Sequence, residues 1–518
     1  MNSANRVVIN TGILYARMAV TVFISLYSTR LILSALGVVD FGLFNVIGGA
    51  ISMLGFFNGS MAAASQRFMS YAQGTGDVHK LKNIFNVSFV LHLLIACFLL
   101  IILEGAGLFF FDGILNIPAD RLSSAKLIYQ FMIVSTLFTI ISVPYDAVIN
   151  AHENMMLVAI VGLIEAVCKL GIAIYITQTD MDKLVVYGFA MAFLPVFLLM
   201  IQRIYCHQKY VECDIQIYKY FDKSLFKEMT SFAGWNFLGS ASSMIAGYGS
   251  GILLNHFFGA MLNTVNAIAG QVNGQLLTLT NTMQKALNPL ITKSEGSGNR
   301  ERMVRATLTG SKISFLIFAF LSLPFLIETP YLLKLWLKTI PEWTVIFCRL
   351  GIIFCLIQQV TITLGTAISA VGNIKMINIF NSIVITVNLL VLFLLFKLGA
   401  KPTSMPVIAI FVAVLLDTMK LYYAKKYCGI KYETFFKEVF FRVAIVFGLS
   451  LLIAITPLYI MEPSFSRLII VGLLSTTTYV TLSYFYAFSI HEKKIINNLK
   501  ISIFSTIKHR LNYGIPKS

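Results

Sequence analysis

The chain predicts an all-α polytopic membrane protein of about fourteen transmembrane helices, laid out as two six-helix repeat bundles plus a C-terminal helix pair. Three observations carry that expectation. Hydrophobic residues make up 57% of the chain and mean hydropathy is +0.80, far above the apolar share of soluble domains. Apolar runs of about 20 residues, each able to cross a ~30 Å hydrocarbon core as helix, follow one another almost to the C-terminus. The stretch from Gly12 to Gly76 is also echoed, without a gap, from Gly234 to Gly298.

The repeat is specific. At a constant offset of 222, Gly12, Gly37, Gly48, Gly74 and Gly76 meet Gly234, Gly259, Gly270, Gly296 and Gly298. Ser28/Ser250, Leu54/Leu276 and Lys80/Arg302 coincide too. A later match sets Ile149–Asn154 (I-N-A-H-E-N) against Ile368–Asn373 (I-S-A-V-G-N). Repeated halves in so hydrophobic a chain mark transporters, whose halves pivot around a shared central site. Alternating polar and apolar positions are missing, which argues against a β-barrel.

Spans are expected at 9–35, 41–65, 84–111, 126–150, 155–177, 184–206, 229–257, 265–288, 307–328, 344–370, 376–398, 406–424, 438–460 and 467–489. The domains read as an N-terminal six-helix bundle (1–206), a cytoplasmic linker (207–228), a second six-helix bundle (229–424), the extra pair (425–489) and a basic tail (490–518). Pro144, Pro195, Pro324 and Pro457 fall inside or near the ends of spans. Each removes a helical hydrogen bond, permitting either a moving kink or a static bend. The run Tyr331–Trp343 is expected as the longest outer loop, with Trp336 and Trp343 at the membrane boundary.

Basic residues fix the orientation. With the N-terminus inside, Arg67, Lys80, Lys82, Lys209, Lys219, Lys223, Lys227, Lys293, Arg300, Arg302, Arg305, Lys425, Lys426, Lys431 and Lys437 fall on inner loops. Asp40, Asp112, Asp120, Asp180, Asp182, Glu342 and Glu462 fall outside, with Lys334, Lys338 and Lys401 as exceptions. Both termini are then cytoplasmic. The formal charge of +17 follows from this placement, so nucleic acid is not expected as a partner; the bilayer is. The first segment is too long for a cleaved signal peptide and carries Arg17. Seven cysteines show no metal spacing and read as packing residues. The tail is expected to lie on the anionic inner leaflet.

Function must then rest on ionisable residues inside spans, which are costly there. Span one carries Arg17 and Arg30 and no acid. An arginine stays charged and offers a fork of donors suited to phosphate oxygens. Arg17, eight residues inside the span, is expected to face inward; for Arg30 a cavity role and snorkelling to the boundary both stand. Glu165 and Lys169 sit at i,i+4 in span five, either neutralising each other or releasing Lys169 to an anion when a ligand or proton binds. Asp417 and Lys420 repeat the pattern near an inner boundary and read as structural, with Asp417 standing beside Glu165 and Asp146 as a coupling candidate. Asp146 and, more weakly, Glu104 are candidates for proton handling. Arg67 and Lys285 could meet a substrate entering from the cytoplasm and Arg349 one at the outer side, although positive-inside placement also explains the first two. No GxxxxGK[ST], HExxH, GxSxG or paired Cys/His spacing occurs, so no cofactor, metal or enzymatic activity is expected, and no outer loop could fold a catalytic domain.

The run L-S-A-L-G-V-V-D-F-G-L-F, Leu33–Phe44, resembles the join of the first two helices in O-antigen (lipid-linked oligosaccharide) flippases. These belong to the multidrug/oligosaccharidyl-lipid/polysaccharide exporter superfamily. Gly37, Phe41 and Gly42 carry the likeness, and K-L-W-L-K-T-I-P-E, Lys334–Glu342, resembles the segment after the ninth helix of bacterial members. The resemblance implies two bundles around a cavity that opens alternately to cytoplasm and periplasm of a bacterial inner membrane. It implies an undecaprenyl-pyrophosphate-linked oligosaccharide as substrate, with polysaccharide polymerase machinery as a partner and proton or sodium coupling left open. Alternatives are a lipid II flippase and a multidrug and toxin extrusion cation antiporter. The last needs cavity acids, whereas span seven has no charge between Trp235 and His256.

Overall fold

The computed structural model describes residues 3–52, 55–111, 119–337, 340–490 and 492–493. Every regular element among them is helical. In chain order these are α1 (Ser3–Ser52), α2 (Gly55–Thr75), α3 (Val78–Phe109), α4 (Leu122–Ala151), α5 (Met155–Gln178), α6 (Lys183–Lys209) and the short α7 (Ile217–Tyr220). Then come α8 (Lys223–Phe258), α9 (Ala260–Gly296), α10 (Arg300–Leu337), α11 (Thr344–Val371) and α12 (Lys375–Lys397). The series closes with α13 (Ser404–Cys428), α14 (Tyr432–Ile460) and α15 (Phe465–Ala487).

Among the described residues twelve helices are long and apolar enough to cross a membrane, against about fourteen expected. The two that fall short are the expected spans 41–65 and 265–288. The first lies partly in the apolar stretch Val39–Gly49 and partly in α2, either side of residues outside the description. The second is α9, continuous over its length but loaded with amides, among them Asn263, Asn266, Gln271, Asn273, Gln275, Asn281, Gln284 and Asn288. Such a helix stays in a membrane protein only where other helices or water satisfy its amides.

Glycine makes the corners. Gly37, within α1, has φ 75°, ψ 173°, and Gly259, between α8 and α9, has φ 82°, ψ 177°. Side chains are excluded from that region of backbone space. Gly76 and Gly298, at the opposite end of the body, share φ values of 73° and 72°. Helix pairings recur likewise: α1 packs on α5 as α8 packs on α12, α2 on α4 as α9 on α11, and α4 on α6 as α11 on α13.

One end of the body carries the connector around α7. There a single apolar core joins both groups of helices, with Phe68, Phe85 and Ile149 beside Phe232, Ile291 and Ile368. At the far end the cores are separate. Ile47, Ile128 and Ile176 pack within α1–α6, whereas Leu254, Val265 and Phe347 pack within α8–α13. The groups are therefore sealed at the connector end and parted at the other. A further core fastens α14 and α15 to α10 and α11 through Val446, Val471 and Tyr479 against Phe318 and Ile352.

Two details differ from expectation. Tyr331–Leu337, expected in an outer loop, is the last part of α10. That helix bends at Glu328 (φ −95°, ψ 22°), between Pro324 and Pro330, and then continues. The basic tail falls almost wholly outside the described residues, as does Asp112. All seven cysteines are free.

Candidate functional site

The cleft between the two helix groups is bounded on one side by α1. Its Leu14 is buried between Met155 of α5 and Ala286 of α9. Tyr15 donates from its hydroxyl to the Leu279 carbonyl of α9, 3.0 Å away, and Met18 lies against Thr282. These contacts put α1 where α5 and α9 converge. Asn10, a turn nearer the connector end, donates to the Glu153 carbonyl at 3.1 Å and pins α1 to the α4–α5 turn.

Arg17, one turn beyond Leu14, lays its guanidinium over Gly162 of α5, so closely that any Cβ there would collide with it. It has no carboxylate partner among the described residues. Glu165, three residues along α5, accepts from Lys169 Nζ at 2.7 Å, and both side chains remain more than a third exposed. At that separation and exposure the pair is worth little as stabilisation. The second group of helices has no such charges. Gly239 stands at the place of Arg17, and Asn381, Val384 and Asn388 at those of Gly162, Glu165 and Lys169. There the glycine is on the other partner, Gly239 of α8 packing against the Asn378 amide of α12.

Lys285 of α9 is exposed and within electrostatic reach of Asp146 of α4. Asp146 accepts from Gln202 Nε2 at 2.8 Å and from Ser142 Oγ at 3.5 Å. Arg30 is exposed near the far end of α1. Two other arginines are committed to backbone. Arg67 donates from Nε and Nη2 to the carbonyls of Ser369 and Ala370 at 3.1 and 3.0 Å, capping the last turn of α11 from across the seam. Arg349 donates to the carbonyls of Leu326 and Ile327 at 3.1 and 3.2 Å. Pro330 has no N–H to offer the Leu326 carbonyl, so Arg349 supplies the lost donor. Asp417 pairs with Lys420 at 2.8 Å, largely buried near the connector end.

The residues expected from sequence thus divide. Arg17, Glu165 and Lys169 lie together along the α1–α5 groove, and Lys285 of α9 lies within electrostatic reach of Asp146 of α4. Arg67 and Arg349 serve helix ends, Arg30 stands apart, and Asp417 is paired. Two buried ion pairs were not singled out from sequence. Arg467 of α15 grips fully buried Glu328 of α10 side-on, Nε and Nη2 donating to its two carboxylate oxygens at 2.7 and 2.8 Å. Lys312 of α10 donates to Glu492 at 2.6 Å. The signal for the first was an acid amid apolar residues between two prolines in α10. Tyr15 gave no signal, since a tyrosine in an apolar span is ordinary.

Twelve crossing helices define a multi-pass membrane protein. No protein-family model matches the chain, and no curated protein sequence matches it significantly. Its fold does match solved structures. A MATE in the straight conformation superposes with TM-score 0.68 at 13% identity, covering 83% of this chain and 97% of that one. A multidrug resistance MATE family transporter of the MOP superfamily, outward-facing, gives 0.69 at 12% identity over 83% and 96%. A MOP superfamily transporter from Pyrococcus furiosus, described as having a binding pocket of reverse polarity that suggests a different function, gives 0.60 at 13% over 82% and 97%. The chain has the MATE fold.

Proposed function

We propose that this chain is a flippase moving an undecaprenyl-pyrophosphate-linked oligosaccharide, an O-antigen or capsule repeat unit, across a bacterial inner membrane by alternating access. In this reading α1–α6 and α8–α13 are parallel six-helix repeats, and the connector end, with both termini, faces the cytoplasm. The structure then corresponds to the outward-open state. The carrying observation is Arg17, a permanently charged group held over Gly162 beside the cleft without a carboxylate partner among the described residues. Arg17 is only partly exposed, and a pyrophosphate entering the cleft would supply the counter-ion it lacks. Lys169 and Lys285 add positive charge.

The amide-rich α9, which packs against α1 and carries Lys285, offers hydrogen bonds for sugar hydroxyls. The helices α14 and α15, fastened outside α10, would guide the lipid tail. A sixth of this chain lies outside its match to the MATE structures, which are themselves almost fully covered. The Pyrococcus furiosus neighbour supports reading pocket polarity separately from fold. Proton or sodium coupling would fall to Asp146 or the Glu165–Lys169 pair, and polymerase machinery would take the exported unit.

Cation antiport is the second reading, favoured by the MATE fold and by the Asp146–Gln202 pair. Complementation of a flippase-null strain separates the two. Arg17→Ala should abolish glycan export at normal membrane levels, and Arg17→Lys should restore it only in part, because a point charge cannot make a bidentate contact. Normal export by Arg17→Ala, or cation efflux that is lost with Asp146→Asn, would favour the antiporter.

A further inference from the structure

The seam at the connector end forms an open pocket of about 470 Å³ between α2, α8 and the α11–α12 turn. Three cations line it. Arg67 reaches in from α2 with one amino group left over from its two carbonyl contacts. Lys227 of α8 and Lys375 at the start of α12 are exposed and have no ion pair among the described residues. Lys375 is held 5.0 Å from the Trp235 ring. Glu228 is the one acid on the wall, so positive charge prevails.

Two further features point to an anion. α12 starts at the cavity with no side chain capping its first amides, whereas α5, its counterpart, is capped by Asn154 accepting from Leu157 N. Uncapped amides at a helix start attract anions. The cations are also not a by-product of duplication, because Pro289, Asn5 and Met156 occupy the places matching Arg67, Lys227 and Lys375.

We infer that this seam cavity is a second, regulatory site that binds a phosphoryl anion, from an anionic lipid headgroup or a free polyphosphate, and holds the connector end shut. Arg67 belongs to one group of helices, Lys227 and Lys375 to the other, so the site is complete only when the seam is closed. A ligand that binds one state alone shifts the population toward it. The inference rests on the alternating-access part of the proposed function and not on its substrate.

The test uses full-length protein in phosphatidylcholine nanodiscs, spin-labelled at Val39 and Met261, both exposed at the far end, in a background lacking Cys97 and Cys168. One arm adds inorganic pyrophosphate; the other replaces part of the lipid with phosphatidylglycerol. The expected result is a gain of roughly threefold or more in the long-distance, seam-closed population, lost in the Lys227→Gln/Lys375→Gln variant. A response in the first arm alone assigns a soluble anion; in the second alone, a headgroup. No response in either arm, or an equal response in the variant, overturns the site. A protein that responds but exports no glycan refutes the substrate reading and leaves the site standing.

Discussion

Gly74 and Gly296 face each other across the connector-end seam, each pressed on the other helix's backbone. A Cβ on Gly74 would fall on the Lys293 carbonyl and 2.9 Å from the Ser297 nitrogen. A Cβ on Gly296 would fall on the Tyr71 carbonyl. Tyr71 and Lys293 are themselves 222 residues apart, so the contact is reciprocal. Helices in lipid gain little from hydrophobic burial and associate through close backbone approach at small residues.

Gly74→Val or Gly296→Val should therefore pry the seam open, at a cost of about 1–3 kcal/mol to the sealed state. Thiol labelling of a cysteine placed at Met283, now buried, should rise in either variant. Unchanged labelling would mean the seam does not depend on this approach.

Gly162→Leu should displace the Arg17 guanidinium from α5 while leaving its charge in place. Loss of a charged contact of about 1.5–3 kcal/mol predicts a tenfold or greater fall in transport rate in reconstituted vesicles. Transport equal to that of the parent would show that Arg17 acts without its seat on α5.

Exchanging Glu165→Lys with Lys169→Glu keeps the local pair and moves the positive end a turn along α5. If the pair only neutralises itself, export persists; if Lys169 meets the anion, export is lost at unchanged protein level. Their exposure above a third makes folding insensitive to the swap, so membrane expression serves as control. We expect export to persist.

Arg467 and Glu328 form a bidentate contact with the carboxylate fully buried. Removing one partner, as in Glu328→Gln or Arg467→Met, should cost about 3–5 kcal/mol, whereas Glu328→Leu with Arg467→Met should recover most of it. Thermal unfolding in detergent reads the difference. Equal losses in single and double variants would contradict it.

Burial would raise the Glu492 carboxyl, but the Lys312 ammonium and hydrogen bonds from Ser489 outweigh it and hold the group below its ordinary value. A depressed carboxylate contributes stability above its unfolded value and loses it as pH falls through the folded one. Docking of the segment after α15 should thus survive neutral and mildly acidic pH and fail only below the usual glutamate range. Proteolysis across a pH series tests this, and Glu492→Gln should cleave readily at every pH.

Much of this was legible in sequence, and the failures have physical causes. The glycine corners at Gly37 and Gly259 were visible because only glycine tolerates that backbone, so the repeat keeps it. The count of crossing helices was less so, because one expected span falls on either side of residues outside the description and α9 carries polar amides along its length. Arg17, Glu165 and Lys169 share a groove as their spacing along α1 and α5 allowed. Arg67 and Arg349 looked equally available, since no pattern of residues tells which carbonyls a distant helix will expose. Arg467 and Glu328 lie too far apart in the chain for sequence to pair them.

The bend in α10 carries a consequence for how the molecule is assembled. A body made from two alike halves presents two equivalent berths to any appended segment. Here Pro324 and Pro330 bend one third-position helix, and the fully buried Glu328 sits at that bend, the socket that Arg467 fills. Its counterpart α3 has no proline from Val78 to Phe109 and offers no such socket. In the two-repeat reading proposed above, this pair of prolines gives α14 and α15 an addressed flank, the bend in α10 at which Arg467 finds Glu328.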